Sequence, residues 1–343
     1  MSRKKTAFVL TLFACMTVCL TVFWQRLHEL GGSEEGDYEI YDRHYVMITG
    51  REDSDFWDRV YESAFLEGKK RGAYVERFGE ELAVEYGRNE LLRLAMQASV
   101  DGIIVPGDEE EETIALLQEV VEQGIPVVNV LQDSTGSVRQ CFVGNNSYNL
   151  GQDYGRQILE LLAEGEGTED GGGPGNQPVR VLVLVDENRT DTSQNLVLLG
   201  IRETLENAGE SADSVSVETS PVDNSRGFSS EESIRDIFLD AGKLPDILVC
   251  LSAVHTRCAY QAAVDYNKVG TVQMLGYYDS DAILEAVSKN ILYSTIALDT
   301  EQMGRFCVQA LDEYAETGYT NNYMAVDTRL IRAAEAERLV EER

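Results

Sequence analysis

Histidine is scarce in this chain, with three in 343 residues, and none stands in an H-E-x-x-H run. No G-x-S-x-G element occurs, and no C-x-x-C pair or other spacing typical of a zinc site. An enzyme needs a nucleophile with its base, a carboxylate pair in a pocket, or metal ligands. The sequence therefore points away from catalysis and calls for no cofactor and no metal. His28 and His44 fall in the region of a polar stalk ahead of the fold, and His255 stands alone, as a histidine at a helix start or in a core does.

Positive charge is also in short supply. Lys and Arg number 29 against 60 Asp and Glu, a net charge of −31. Such a chain repels phosphate backbones and anionic lipid head groups, which argues against nucleic acid as a partner. Cysteine is too sparse for a disulfide scaffold: Cys15 and Cys19 lie in an apolar N-terminal run, Cys141 and Cys307 are isolated, and Cys250 and Cys258 are near neighbours. Buried free thiols are the expectation, with a Cys250–Cys258 bridge as the alternative. Hydrophobic residues make up 43% of the chain, enough for a buried core in roughly two domain-sized units.

Arg3, Lys4 and Lys5 precede an uncharged stretch from Thr6 to Trp24, which as a helix spans about 28 Å, the depth of a bilayer core. Acidic residues follow at Glu29, Glu34, Glu35 and Asp37. The basic side stays in the cytoplasm, so the C-terminal bulk is expected outside, at the cell membrane, on a single-pass anchor. A cleaved signal peptide and a lipoprotein modified at Cys15 are the alternatives. Residues 25–43 read as a stalk.

From Tyr45 onward short β-rich runs alternate with helical stretches. Strands are expected at 45–49, 74–78, 102–105 and 126–130, with helices over 56–71, up to 98, and over 113–123. After Gly144-Asn145-Asn146 and a helix over 150–162, the Gly-rich segment 165–178 is a loop. It lacks a closing Lys-Ser/Thr and precedes a strand, so it is no phosphate loop. The pattern then restarts, with strands at 179–185, 214–218, 247–251 and 272–276 and helices between them. Strand, helix, strand at this spacing makes a doubly wound parallel sheet, here twice, and runs without polar alternation fit strands covered on both faces. Ligands bind such folds at the carboxyl ends of the strands.

Six pieces in order carry a resemblance: Asp53-Ser54-Asp55-Phe56-Trp57 opening a first helix, Asp101-Gly102-Ile103-Ile104-Val105-Pro106, Gly124-Ile125-Pro126-Val127-Val128, Val143-Gly144-Asn145-Asn146, Gly276-Tyr277-Tyr278-Asp279, and Ser294-Thr295-Ile296-Ala297 with Glu301-Gln302-Met303-Gly304. Over Tyr45 to Ile331 the chain resembles the periplasmic sugar-binding proteins of ribose-binding type, which share their fold with repressor effector domains. The resemblance implies a type 1 periplasmic binding protein fold: two doubly wound parallel-sheet lobes joined by a three-strand hinge, here preceded by an N-terminal transmembrane helix. The crossings fall near Gly144-Asn145, Leu298-Asp299 and Asn322-Tyr323, with a last short strand at Met324-Asp327. The expected organisation is a basic end at 1–5, an anchor at 6–24, a stalk at 25–43, a binding domain at 44–335 and a helix end at 336–343. Lobe 1 takes about 44–144 plus 299–322, and lobe 2 about 145–298 plus 323–335.

By position the resemblance implies aromatic plates at Phe56 and Trp57 and hydroxyl partners at Ser54, Gln132, Asp133, Asn195, Ser252, Asp279 and Asp299, a set suited to a sugar ring. The chain departs from the pattern where an Asp-Arg pair is expected, since Leu131-Gln132-Asp133 stands there and no guanidinium is present. The expected role is binding a small polar ligand of sugar type as the monomeric substrate-binding component of an ABC-type uptake system, with a permease as partner. A sensing subunit that docks on a membrane sensor such as a histidine kinase is the alternative. A repressor reading fails, because a membrane span stands where a DNA-binding unit is needed.

Overall fold

A computed structural model describes residues 41–49, 54–84, 86–166, 178–187, 192–210, 214–223, 228–240, 242 and 244–342. The anchor at 6–24, nearly all of the stalk and most of the Gly-rich loop lie outside the described residues. Among the described residues no helix is long and apolar enough to cross a membrane. Asp42 to Arg343 form one compact unit.

The first alternating series runs β1 (Arg43–Met47), α1 (Ser54–Lys70), β2 (Ala73–Arg77), α2 (Arg88–Ala98), β3 (Gly102–Val105), α3 (Glu111–Glu122), β4 (Val127–Val130) and β5 (Cys141–Gly144). The long helix α4 (Ser147–Glu166) leads into the second: β6 (Val179–Asp186), α5 (Ser193–Asn207), β7 (Val215–Val222), α6 (Ser229–Leu239), β8 (Ile247–Cys250), α7 (Ala253–Asp265), β9 (Gln273–Tyr277), α8 (Asp281–Ser288) and β10 (Ser294–Leu298). The chain closes with α9 (Thr300–Thr317), β11 (Tyr323–Ala325), β12 (Thr328–Arg332) and α10 (Ala333–Glu342). His44, expected in the stalk region, belongs to β1 and meets the Glu76 carboxylate at 2.8 Å.

The strands form two six-stranded sheets, ordered β11-β5-β4-β3-β1-β2 and β12-β10-β9-β8-β6-β7. Numbered within each half the winding is the same, so β1 corresponds to β6 and β4 to β9. Pairing is parallel, as at Ile104↔Val128 and Leu182↔Leu248, except that β12 runs antiparallel to β10. Strands β3, β4, β8 and β10 are buried along their whole length. Alternation sends Tyr45 and Met47 to one face of the first sheet, while Val46 and Ile48 pack on the other with Leu92, Leu117 and Val120.

Two helices cross between the halves. Helix α4 follows β5 but packs on α5, and α9 follows β10 but packs on α1. Glycine sets both contacts. A Cβ on Gly304 would stand 2.2 Å from the Val60 carbonyl oxygen, and one on Gly200 would stand 2.3 Å from that of Tyr148. Tyr154 of α4 is fully buried, its hydroxyl held between the carbonyls of Cys250 (2.9 Å) and Gly276 (3.0 Å).

The crossing strands are hydrogen-bonded to one another, Val326 N–H to Gly144 O at 2.9 Å and Asp299 N–H to Asp327 O at 3.0 Å. One expectation is corrected here. The segment from 323 was placed in the second lobe, yet Tyr323–Ala325 pairs with β5 in the first sheet, and the second sheet receives Thr328–Arg332 instead. The chain crosses after Val326 because Tyr323 finds a stacking partner in Phe142 across that pairing, with ring centroids 5.6 Å apart. The C-terminal helix, expected only as a helix end, buries Ala336 and half-buries Leu339 in the core. Cys141, Cys250, Cys258 and Cys307 are free thiols. Burial pushes Cys141 up to about 12 and Cys307 well above its ordinary value, which leaves both protonated and inert.

Beneath α1 and α9 lies an ion network. Arg71 donates to Glu67 at 2.7 Å and to Asp312 at 3.2 Å, and Arg43 also pairs with Asp312. Burial disfavours the Glu67 carboxylate, but Arg71, Gln309 and Lys70 outweigh it and hold its pKa below the ordinary 4.5. Its contribution is complete above the unfolded value and is lost as pH falls through the lowered folded value. Urea melts of wild type and Glu67→Gln are therefore expected to keep a constant gap above about pH 5 and to converge below about pH 4.5. A gap that widens in acid would contradict the assignment. In the same melts Gly304→Ala is expected to lose about 1–3 kcal/mol by forcing α9 away from α1.

Candidate functional site between the lobes

Strand order decides which loops face each other. The start of α1, after β1, meets the loop after β9, and the start of α5, after β6, meets the loop after β4. Because β1 matches β6 and β4 matches β9, these are two versions of one seam. They are filled differently.

The first seam is closed by protein. Arg59, on the second turn of α1, donates to the Asp279 carboxylate at 2.8 and 3.4 Å and to the Tyr278 hydroxyl at 3.1 Å. Its guanidinium lies 4.8 Å from the Tyr278 ring centroid, within cation–π range. The Tyr278 hydroxyl donates to Asp55 at 2.9 Å, and Phe56 meets the Tyr278 ring edge-on at 5.5 Å. Burial opposes the charge on Arg59, but Asp279 and Tyr278 outweigh it and raise its pKa above the ordinary 12.5. Burial likewise pushes the Tyr278 phenol far above 10, so it stays a neutral donor.

The second seam encloses a cavity of about 240 Å³, smaller than the ~300–1,000 Å³ that suits drug-sized ligands. Leu131, Gln132 and Asp133 line it from the first lobe, Thr192, Ser193 and Leu196 from the second. Phe142 and Tyr323, stacked at 19°, form an aromatic wall beside the hinge. Gln194 pins the start of α5 to the end of β6, accepting from Asp186 N–H at 2.6 Å and donating to its carbonyl at 3.1 Å. Asp133 is held by Arg139 through two nitrogens, one of them 2.6 Å from Oδ2. Arg139 also donates to the Asn322 carbonyl at 3.2 Å, tying this pair to the hinge. Aromatic wall, amide, carboxylate and hydroxyls offer a small polyhydroxylated molecule apolar contact for its C–H face and paired donors and acceptors for its rim.

The residues expected from the sequence distribute unevenly. Gln132 and Asp133 line the cavity. Asp279 faces the cleft but is bound by Arg59. Phe56 and Trp57, expected as plates, are 5% and 6% exposed and belong to the core, because helical spacing carries 56, 57, 60 and 64 to the same inner face of α1. Ser252 caps α7 by accepting from His255 N–H at 3.1 Å, and His255 is buried at that helix start. Asp299 caps α9, accepting from Gln302 N–H at 2.8 Å, at the hinge. Asn195 is exposed on the first turn of α5 and does not line the cavity, although its neighbours Ser193 and Leu196 do. Ser54 opens α1, and its side chain lies outside the described residues.

Sequence reasoning missed Arg59, Tyr278, Arg139, Phe142 and Tyr323. A guanidinium does stand beside Asp133, that of Arg139 six residues further on. The available signals were the Asp55–Arg59 helical spacing and the doubled tyrosine at 277–278.

Two doubly wound lobes on a three-strand hinge, with a cavity of mixed apolar and polar lining where their strand ends meet, define a hinged binding protein for small molecules. The family model described as periplasmic binding protein domain matches residues 45–319, and the chain belongs to that solute-binding family, whose members work outside the cytoplasm. Among solved structures it is similar to GanP, a glucose-galactose binding protein from Geobacillus stearothermophilus, at 19% identity and TM-score 0.70, covering 85% of this chain and 98% of that one. It is similar to a protein in a XylFII-LytSN complex, at 22% identity and TM-score 0.69, covering 85% and 98%. A sugar-binding protein of a sugar ABC transporter from Bacillus halodurans gives 20% identity and TM-score 0.66, covering 86% and 99%. No curated protein matches the sequence.

Trp57→Ala is expected to cost about 3–5 kcal/mol in thermal or urea melts without any added ligand, the cost of emptying a core position. An unchanged melt would return Trp57 to the cleft as a ligand plate.

Proposed function

We propose that this chain is an extracytoplasmic, membrane-anchored binding protein for a small polyhydroxylated ligand of the sugar class, and that it serves as the substrate-binding component of an ABC-type uptake system. The observation that supports the ligand class is the cavity of the second seam, where stacked Phe142 and Tyr323 stand beside Gln132 and Asp133. A ligand there touches both lobes and the hinge, so it stabilises the closed arrangement by differential contact.

A sensing role is the second reading, and one observation favours it: a structural neighbour of 22% identity is a XylFII-LytSN complex. A protein that stays on its anchor and passes on its closed state by docking needs no release into bulk solution.

The test is a thermal-shift screen of the full chain in detergent against pentoses, hexoses, polyols and sugar acids. A ligand present at ~100 times its dissociation constant adds about 2.7 kcal/mol to the folded state and raises the melting temperature accordingly. Asp133→Asn and Gln132→Ala are expected to weaken that ligand about tenfold or more while the melt without ligand moves little. A hit unaffected by either substitution would remove the cavity from consideration, and silence across the whole panel would remove the sugar class. Deleting the gene and measuring uptake of the hit separates the two roles, since a transport component is required for uptake itself.

A further inference from the structure

The first seam differs from its counterpart in being filled by the protein. Tyr278, the residue at its centre, has φ 79°, a left-handed backbone that a bulky side chain adopts only when its surroundings impose it. Those surroundings are visible. Tyr278 N–H is bonded to the Ile296 carbonyl at 2.8 Å, and the buried Thr295 hydroxyl donates to the Tyr278 carbonyl at 2.6 Å. Strand β10 thus forces the backbone turn that aims the Tyr278 ring at α1. Leu131 occupies the corresponding place after β4 with φ 64°, but there the space between the lobes stays open as the cavity.

At the ring, five side chains from opposite lobes meet. Arg59 reaches Asp279 and Tyr278, the Tyr278 hydroxyl donates to Asp55, and Phe56 meets the ring edge-on. Tyr278 is 2% exposed and Asp279 6%, so opening the lobes strips a desolvated ion pair and an aromatic contact of their partners at once. The hydrophobic cluster containing Phe56, Trp57 and Val60 also contains Tyr278, Ile283 and Leu284, so apolar packing runs across the cleft along with the polar bonds.

We propose that Asp55, Phe56 and Arg59 of α1 with Tyr278 and Asp279 after β9 form a built-in latch that holds the two lobes closed without ligand. The hinge then works against a fixed clasp at one seam, and ligand is confined to the other. Closure is prepaid, so bound ligand adds little lobe movement, and entry waits on transient opening of the clasp. This holds whatever the ligand is.

The test is a distance measurement by pulsed electron paramagnetic resonance on the full chain in detergent. Nitroxides are attached to ketone side chains encoded at Glu62 on α1 and Ala282 on α8, both exposed positions on opposite lobes, so the native cysteines stay untouched. Without added sugar, wild type is expected to give one narrow distance distribution. Arg59→Met is expected to raise the population at longer distance at least about tenfold, because it takes the guanidinium away from the desolvated Asp279 carboxylate in the closed state. Tyr278→Phe keeps the ring and removes only the hydroxyl; it is expected to shift the distribution the same way by less, and it decides the matter if Arg59→Met does not fold. A broad or long distribution in sugar-free wild type would overturn the latch, as would a folded Arg59→Met that keeps the wild-type distance. An open wild type that still binds a sugar sinks the latch and leaves the ligand assignment standing; a closed wild type that binds none does the reverse.

Discussion

Strands covered on both faces commit their side chains to packing, and that constraint governs where this protein keeps its chemistry. Ile103, Ile104, Val127, Val128, Leu248 and Val249 are wholly buried, which is why the sheets stack helices on each side and carry polar groups at their ends. Parallel pairing gathers the carboxyl ends of all those strands on one edge of each sheet. The hinge then turns the two edges toward each other, and its own strands are bonded through Gly144, Val326, Asp299 and Asp327.

Charge follows the same logic. The chain carries a large excess of carboxylates, yet in the cleft two arginines neutralise the carboxylates that matter: Arg59 at Asp279 and Arg139 at Asp133. Asp133 and Asp279, paired in this way, present themselves as oriented acceptors, while Glu109, which also lines the cavity, accepts from the Thr135 N–H and hydroxyl at 2.8 and 2.7 Å. A guanidinium stands beside the Asp133 carboxylate here too, but it comes from Arg139 in the β4–β5 loop.

Much of the fold was legible in the strand runs. Gly102-Ile103-Ile104-Val105 and Ile247-Leu248-Val249-Cys250 are uninterrupted apolar segments, and their observed bounds sit within a residue of expectation. The site was legible only in part. Gln132 and Asp133 line the cavity because they follow a strand directly, where backbone geometry leaves little choice. Phe56 and Trp57 pack in the core, where an aromatic pair at a helix start fits as well as in a ligand plate, and rotation of the helix by a single turn position decides between the two. Tyr323 was placed on the wrong lobe because a three-residue strand carries no periodicity to say which sheet it joins.

By itself, then, the sequence determined the alternation of strand and helix, the double repeat of that pattern, the family and the pair of polar residues after β4. Local patterns suffice for these, since each depends on neighbours along the chain. Only the tertiary structure decided that Arg59 meets Asp279, 220 residues away, that Arg139 turns back on Asp133, and that one seam is clasped while its twin holds a cavity. Such contacts depend on how two lobes meet, and an ion pair between distant segments leaves no mark in the spacing of either.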